Sequence, residues 1–128
     1  MEAEDILVVE DDGDARWALK ALLEAEGYRV ACAAHGGEAL DYLRQSRPPR
    51  AILLDLSMPV MDGWTFRKQQ QRVAAWAVIP VVLLSAEEDL AWQAASLGAA
   101  GYLHKPVEVE RLLAAVRGLS GPPGLRAG

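Results

Sequence analysis

The sequence has few of the residues that mark secreted, membrane-bound or nucleic-acid-binding proteins. One cysteine in 128 residues cannot form an internal disulfide, which excludes the disulfide framework of small secreted domains. No apolar run approaches the roughly 20 residues that cross a bilayer, and the N-terminus is acidic where a signal peptide would be basic. Three lysines and a net charge of −5 leave no basic footprint for nucleic acid. We therefore expect a cytoplasmic protein without direct membrane or nucleic-acid binding.

The residues that are present suit one ordinary globular domain. With 52% hydrophobic residues, a chain of this size can form a core without disulfides or a structural metal. The acidic residues are distributed unevenly, because seven of the 18 fall within the first 14 positions. A solvated, partly frayed terminus would explain such a run, but its position directly after an apolar segment calls for a second explanation.

Short β-branched runs alternate with longer stretches of helical period, which is typical of βα units and a parallel sheet. The predicted strands cover residues 6–9, 28–33, 51–54, 81–84 and 101–104. The first predicted helix ends at Gly27. The next three cover residues 38–45, 64–75 and 88–97, and the fifth ends before Gly118. We expect a folded domain over residues 1–118 and a flexible, glycine- and proline-rich tail over 119–128, with no output domain. Cys32 is expected to be a small core residue.

Polar residues follow four of the five strands. Glu10 and Asp11 follow the first, Asp55 the third, Ser85 the fourth and Lys105 the fifth, whereas the second strand ends in alanines. Ligands of open parallel sheets bind at the carboxyl ends of the strands. This asymmetry favours a doubly wound, flavodoxin-like sandwich with strand order 2-1-3-4-5 and right-handed crossovers, although it does not by itself exclude other orders.

Carboxylates gathered at one sheet edge need a countercharge. At about 5 Å and an effective dielectric constant near 20, each pair would repel by roughly 3 kcal/mol. Mg²⁺ suits such oxygen ligands, because it is usually held by one or two carboxylates together with a phosphate. Lys105 supplies a point charge and Ser85 a hydroxyl for phosphoryl oxygens. The set therefore indicates a phosphoryl site with a carboxylate as candidate nucleophile.

Four motifs, in order and at these spacings, carry a resemblance to a known family over residues 5–118. They are ILVVEDD at 6–12, LLDLSMPVMDGW at 53–64, LLSA at 83–86 and GYLHKP at 101–106. With these motifs the sequence resembles the receiver domains of two-component response regulators, among them the single-domain, chemotaxis-regulator-like members.

The resemblance implies a phosphoacceptor and a metal site. Asp55 would accept a phosphoryl group from a phosphohistidine on a sensor histidine kinase or a histidine phosphotransfer protein, with Mg²⁺ required. Asp11 and Asp55 would contact Mg²⁺ through carboxylates, Glu10 through water, and Ser57 through its backbone carbonyl. Asp12 then lies outside the acidic pair, and helix capping is its expected role.

The resemblance also implies how the phosphoryl group would be bound. Lys105 would bind it together with Ser85 and Ala86, and the peptide bond from Lys105 to Pro106 would be cis. Gly63 would have a structural role, permitting a close or positive-φ turn after Asp62.

A switch is the remaining implication of the resemblance. Ser85 would turn inward to the phosphoryl group, and Tyr102 occupies the aromatic position that responds. Together they would reshape the face formed by the fourth helix, the fifth strand and the fifth helix, on which a downstream partner, unknown here, would bind. The chain would catalyse only its own phosphorylation and dephosphorylation, so we do not expect an enzyme that acts on a separate substrate.

Other functions remain open at this point. Asp12-Gly13-Asp14 faintly resembles the nucleophile motif of haloacid-dehalogenase-like phosphohydrolases, although the chain leaves no room for a cap. A flavodoxin-like flavin binder would need hydroxyls and amides in the first loop in place of the acids. A degenerate receiver that only docks is disfavoured because no key position is missing, and a receiver cut from a longer regulator would have nearly the same sequence.

Overall fold

Five strands form one parallel sheet in the order β2-β1-β3-β4-β5, as predicted. The structure is a computed structural model that describes residues 5–56, 58 and 61–123. The strands are β1 (Ile6–Val9), β2 (Val30–Ala33), β3 (Ala51–Asp55), β4 (Val81–Ser85) and β5 (Gly101–His104). The helices are α1 (Gly13–Ala25), α2 (Gly36–Gln45), α3 (Gly63–Gln71), α4 (Ala74–Ala77), α5 (Leu90–Leu97) and α6 (Val109–Ser120).

The three central strands are buried on both faces, which explains their continuous apolar sequence. Alternate residues point to opposite sides of the sheet. Leu7, Val9 and Leu54 pack in one cluster with α2, α3 and α5, while Ile6 and Val8 pack in a second cluster with α1 and α6. The sheet is therefore the middle layer of a three-layer sandwich, and helices leave its carboxyl edge open for the polar residues.

Short polar side chains set where the helices begin. The Asp12 carboxylate accepts from the Ala15 backbone N–H at 3.1 Å, so it caps α1 as expected. Asp62 caps α3 in the same way, accepting from the Thr65 N–H at 2.8 Å. Gly98 ends α5 in the left-handed conformation with φ +62°, which a side chain would disfavour.

The predicted third helix is two helices in the structure. α3 ends at Gln71, and Val73 is extended with φ −109° before α4 begins. The break follows from Gln70, whose buried side-chain amide donates to the carbonyls of Trp76 at 2.8 Å and Ile79 at 3.2 Å. The predicted fourth and fifth helices are consequently α5 and α6. Smaller differences are that β2 begins at Val30 and α5 at Leu90.

The end of α6 lies two residues beyond the predicted boundary at Gly118. Ser120 is buried, and its carbonyl accepts from Arg50 Nη1 at 2.8 Å. The carbonyl of Gly121 accepts from the Tyr28 hydroxyl at 2.9 Å. The expectation of a flexible tail from residue 119 is thus corrected for residues 119–121, which these contacts tie to the folded body. Residues 124–128 of the predicted tail lie outside the described residues.

Cys32 is exposed, so its prediction as a core residue was wrong. It lies in β2, the edge strand, whose outer face is only partly covered. Val30 and Ala33 lie on opposite faces of β2, and each is buried in one of the two core clusters. Cys32 is on the same face as Val30 but is left exposed there. Among the described residues, no helix has the length and apolarity to span a membrane.

We expect the contacts at the end of α6 to stabilise the fold. Tyr28→Phe removes the hydroxyl that donates to Gly121, and one such hydrogen bond contributes about 0.5 to 1.5 kcal/mol. Urea unfolding followed by tryptophan fluorescence should show a loss of that size. Tyr102→Phe is the matched control, since Tyr102 is 43% exposed. Equal stability of Tyr28→Phe and wild type would contradict a stabilising role for the bond from Tyr28 to Gly121.

Candidate functional site

The carboxyl edge of the sheet brings together residues that are up to 95 positions apart in sequence. Asp55 is the last residue of β3, Glu10 directly follows β1, and Lys105 directly follows β5. The Lys105 ammonium nitrogen lies 2.8 Å from a Glu10 carboxylate oxygen and 3.3 Å from one of Asp55. Parallel strand pairing sets these positions, because the Lys105 backbone N–H donates to the Ser85 carbonyl at 2.9 Å.

Glu10, Asp11 and Asp55 form an acidic cluster. Each contributes a carboxylate oxygen, and these oxygens lie within 4.8 Å of one another. Glu10 and Asp55 are only 1% and 3% exposed, whereas Asp11 is open to solvent. Hard oxygen donors in this arrangement, with an exposed side for retained waters, fit a small divalent cation such as Mg²⁺.

The ionisation of the cluster reflects its crowding. Burial raises the pKa of Asp55 to about 7, and the nearby Glu10 adds to the rise against the opposing charge of Lys105. Burial alone would raise the pKa of Asp11, but hydrogen bonding to Asp55 and Glu10 outweighs it and leaves that pKa below its usual value. Burial lowers the pKa of Lys105, but Glu10 and Asp55 more than offset this, so the lysine stays charged.

Arg16 binds the backbone of the acidic loop, a role that the sequence did not predict. Its Nη1 donates to the Glu10 carbonyl at 2.8 Å and to the Asp11 carbonyl at 3.3 Å. The Asp12 backbone N–H donates to the Glu10 carboxylate at 3.3 Å. The spacing from Asp12 to Arg16 on a predicted helix gave a hint, since one turn returns the side chain toward the loop.

Ser85 ends β4 beside the cluster and is 4% exposed. Its hydroxyl oxygen accepts from the Glu87 backbone N–H at 3.1 Å. The Glu87 carboxylate in turn accepts from the Gln93 side-chain amide at 2.6 Å. Ala86 is exposed at the start of this loop. A hydrogen-bonded path thus leads from the site to the first turns of α5.

The predicted structural residues lie where the motifs place them. The Lys105–Pro106 peptide bond is cis. A Cβ atom on Gly63 would lie 2.7 Å from the Asp55 carbonyl oxygen, closer than van der Waals contact permits. Gly63 has no positive φ, so the close-approach alternative describes it. Ser57 lies outside the described residues.

Tyr102 lies on β5 with its ring 43% exposed and packed edge-on against His104 at a centroid distance of 5.9 Å. The exposed Trp92 of α5 packs against Trp64 of α3 at 6.4 Å. The structure therefore brings Glu10, Asp11, Asp55 and Lys105 into one site and Ser85 to its border. Tyr102 lies on the outer surface beside them.

A sequence model of the family described as "Response regulator receiver domain" matches residues 6–117. The response regulator MprA of a Mycobacterium species (strain KMS) is 39% identical over 116 residues, which cover 89% of this chain and 49% of that protein. The chain thus spans about half the length of the curated relatives that it matches.

Solved structures agree with this sequence likeness. The chemotaxis protein CheY4 of Vibrio cholerae superposes with a TM-score of 0.83 at 30% identity, covering 92% of this chain and 99% of that one. The receiver domain of a Pseudomonas aeruginosa sensor histidine kinase also gives 0.83, at 28% identity over 94% of this chain and 99% of that one. That domain was solved with a magnesium ion coordinated in its active site cleft.

We expect Asp55→Asn to stabilise the metal-free protein. Because the folded-state pKa of Asp55 is raised to about 7, the folded state disfavours the charged carboxylate, and the free energy of unfolding falls as pH rises from about 4 to 7. One pKa unit corresponds to about 1.4 kcal/mol, so we expect a gain of roughly 1 to 3 kcal/mol at pH 8 that shrinks toward pH 4.

The measurement is urea unfolding in the presence of a chelator across this pH range. Asp41→Asn is the control, since Asp41 is exposed and its ion pair with Arg44 is on the surface, where such pairs contribute little. If the Asp55→Asn variant were no more stable than wild type at pH 8, the ionised Asp55 carboxylate would not destabilise the folded state.

Proposed function

We propose a function from one premise: this chain belongs to the response regulator receiver domain family. It acts as a phosphoacceptor switch in a two-component phosphorelay. Asp55 receives a phosphoryl group from a phosphohistidine on a sensor histidine kinase or a histidine phosphotransfer protein. The observation that carries this proposal is the position of Asp55, which lies buried among two further carboxylates and 3.3 Å from the Lys105 ammonium.

The acidic cluster is the proposed Mg²⁺ site. Asp11 and Asp55 offer carboxylate oxygens directly, Glu10 lies close enough to bind through water, and the Ser57 backbone carbonyl is the remaining protein ligand that family membership suggests. A bound Mg²⁺ supplies positive charge that offsets the carboxylates and the incoming phosphoryl oxygens. The raised pKa of Asp55 supports this, because crowded carboxylates favour any added cation.

The transfer itself needs little from the protein beyond placement and charge. An Asp55 carboxylate oxygen attacks phosphorus, the O–P bond forms, and the N–P bond to the donor imidazole breaks. Lys105 is placed to pair with a phosphoryl oxygen, and the Ser85 hydroxyl and the Ala86 backbone N–H are proposed donors to the others. Hydrolysis of the acyl phosphate would use the same groups, so the chain catalyses only its own modification.

We propose that phosphorylation is signalled by a change in the face formed by α5, β5 and α6. Ser85 borders the site, and Tyr102 is the second residue of β5, with an exposed ring. When the Ser85 hydroxyl turns to a phosphoryl oxygen, its present bond to Glu87 is lost, which frees the loop that leads into α5. A downstream protein would recognise the altered face.

Phosphorylation can be tested directly. With acetyl phosphate and Mg²⁺, we expect intact-mass spectrometry to show one added phosphoryl group on the wild type and on Asp41→Asn, and none on Asp55→Asn. Asp41 is exposed and lies in α2, outside the acidic cluster. An unmodified wild type, or a modified Asp55→Asn, would exclude Asp55 as the acceptor.

The metal site has a matched pair of neighbouring aspartates. Asp11→Asn should weaken Mg²⁺ binding by about tenfold or more, equivalent to about 1.4 kcal/mol, because it removes one charged ligand. Asp12→Asn should bind Mg²⁺ nearly as wild type does, since Asn also caps helices well and Asp12 is outside the cluster.

Binding is followed by titration calorimetry and by tryptophan fluorescence. Trp64 is the expected reporter, because it directly follows Gly63, which approaches the Asp55 carbonyl. Equal weakening by both substitutions would mean that the loop as a whole, and not the Asp11 carboxylate, responds to the metal.

A further inference from the structure

The inward face of α3 carries polar side chains at two core positions. Arg67 is 5% exposed and Gln70 is fully buried, in the same row as the apolar Phe66. An ionised or amide side chain in such a place is costly unless it is fully hydrogen-bonded. Burial lowers the pKa of the Arg67 guanidinium, yet no part of the acidic cluster or of the proposed phosphoryl site uses it.

Arg67 binds the C-terminal end of α5. Its Nε donates to the Leu97 carbonyl at 3.0 Å, and its Nη2 donates to the Gly98 carbonyl at 3.0 Å. Its Nη1 donates to Gln70 Oε1 at 2.9 Å. The last carbonyls of a helix lack intrahelical partners and carry the negative end of the helix dipole. The guanidinium therefore holds this end of α5 on α3 through two directed bonds, while its third bond, to Gln70 of the same helix, orients it.

Two further contacts reinforce the same end. The exposed Gln71 donates from Nε2 to the Leu97 carbonyl at 3.2 Å. The Ala100 backbone N–H donates to the Val81 carbonyl at 2.8 Å, which leads the chain straight into the sheet. The C-terminal end of α5 is thus joined both to α3 and to β4.

The first turns of α5 are held differently. Their side-chain tie to the site runs through Glu87, whose backbone N–H donates to Ser85 and whose carboxylate accepts from Gln93. Glu87 is exposed. The other side-chain atom of Gln93, Oε1, is buried and has no hydrogen-bond partner among the described residues. Apolar packing also acts here, since Leu90 at the start of α5 is fully buried in the same core cluster as Phe66. The polar tie through Glu87 is the part of this attachment that a change at Ser85 can release.

We propose that α5 is a lever with one fixed end: Arg67 pins its C-terminal end to α3, while the Ser85–Glu87–Gln93 path holds its first turns and releases them when Ser85 turns to a phosphoryl group. This rests on the proposed function for the release step only, because the pinned end is a property of the free protein. Arg67 and Gln93 are positioning residues, and motion of α5 is a swing about Leu97 and Gly98.

The pinned end is tested without metal or phosphoryl analogue, by native-state amide exchange followed by NMR. The reporters are the amides of Gly98 and Ala99, whose N–H groups donate within the last turn of α5. Arg67→Met should speed their exchange at least about threefold. Lys68→Met removes the same charge from the neighbouring exposed position and should leave these rates unchanged.

Arg67→Met also changes the packing around a buried side chain, so a second variant with a smaller structural change is measured beside it. Gln71→Ala removes only the surface donor to Leu97 and should speed the same two amides by a smaller factor. Unchanged rates at Gly98 and Ala99 in both Arg67→Met and Gln71→Ala would overturn the pinned end.

The releasable end is tested in the free protein by Glu87→Ala against Glu88→Ala, its exposed neighbour. Only Glu87→Ala should speed exchange of the Gln93 amide, which donates to the Asp89 carbonyl. In the wild type, beryllofluoride with Mg²⁺ should produce the same change at Gln93 and leave Gly98 and Ala99 unchanged.

The outcomes separate the two proposals. Binding of beryllofluoride, detected by ¹⁹F NMR, with equal changes at both ends of α5 would overturn the lever and leave the phosphoacceptor function standing. Absence of beryllofluoride binding would overturn the proposed function and the release step with it. In that case the exchange rates of the Arg67 and Gln71 variants still decide whether the end is pinned.

Discussion

Two almost fully buried carboxylates, Glu10 and Asp55, share a single ammonium group, that of Lys105, and much of the molecule serves to hold them there. Left alone, such groups would separate or protonate, because desolvation and mutual repulsion both oppose their charge. Separation is prevented by the sheet, since each group is covalently attached to the end of a strand whose neighbours are hydrogen-bonded along their length. Protonation is not prevented, because burial and the nearby Glu10 raise the pKa of Asp55 to about 7. Added positive charge at this edge of the sheet would therefore stabilise the ionised carboxylates of the free protein.

The surrounding loops accommodate this arrangement through backbone contacts. Arg16 binds the carbonyls of Glu10 and Asp11, which orients the acidic loop without neutralising its carboxylates directly. Gly63 allows the start of α3 to approach the Asp55 carbonyl. These contacts leave the carboxylate oxygens of the cluster close to one another, with Asp11 on the side that is open to solvent.

Most of the fold was predictable, because central parallel strands are continuous apolar runs and the site residues directly follow them. The alanines after the second strand correctly placed it at the edge of the sheet. Three features were not predictable from pattern. Gln70 breaks the predicted third helix because its amide bonds to carbonyls from a later turn, Ser120 belongs to α6 through contacts with distant residues, and Cys32 is exposed because an edge strand has less cover. Each depends on a tertiary partner that one segment of sequence cannot reveal.

The buried guanidinium of Arg67 has a consequence for how α3 is positioned against the C-terminal end of α5. Apolar faces tolerate small slides, since one methyl contact replaces another, but the donors of a guanidinium match only one set of carbonyls. Displacing α3 along its axis would leave a desolvated cation without acceptors, which costs several kcal/mol. One position of α3 along its axis is therefore favoured, and with it the position of Asp62 and Gly63 at the N-terminal end of the helix. A polar contact remote from the carboxylates thus helps to set how closely Gly63 approaches the Asp55 carbonyl.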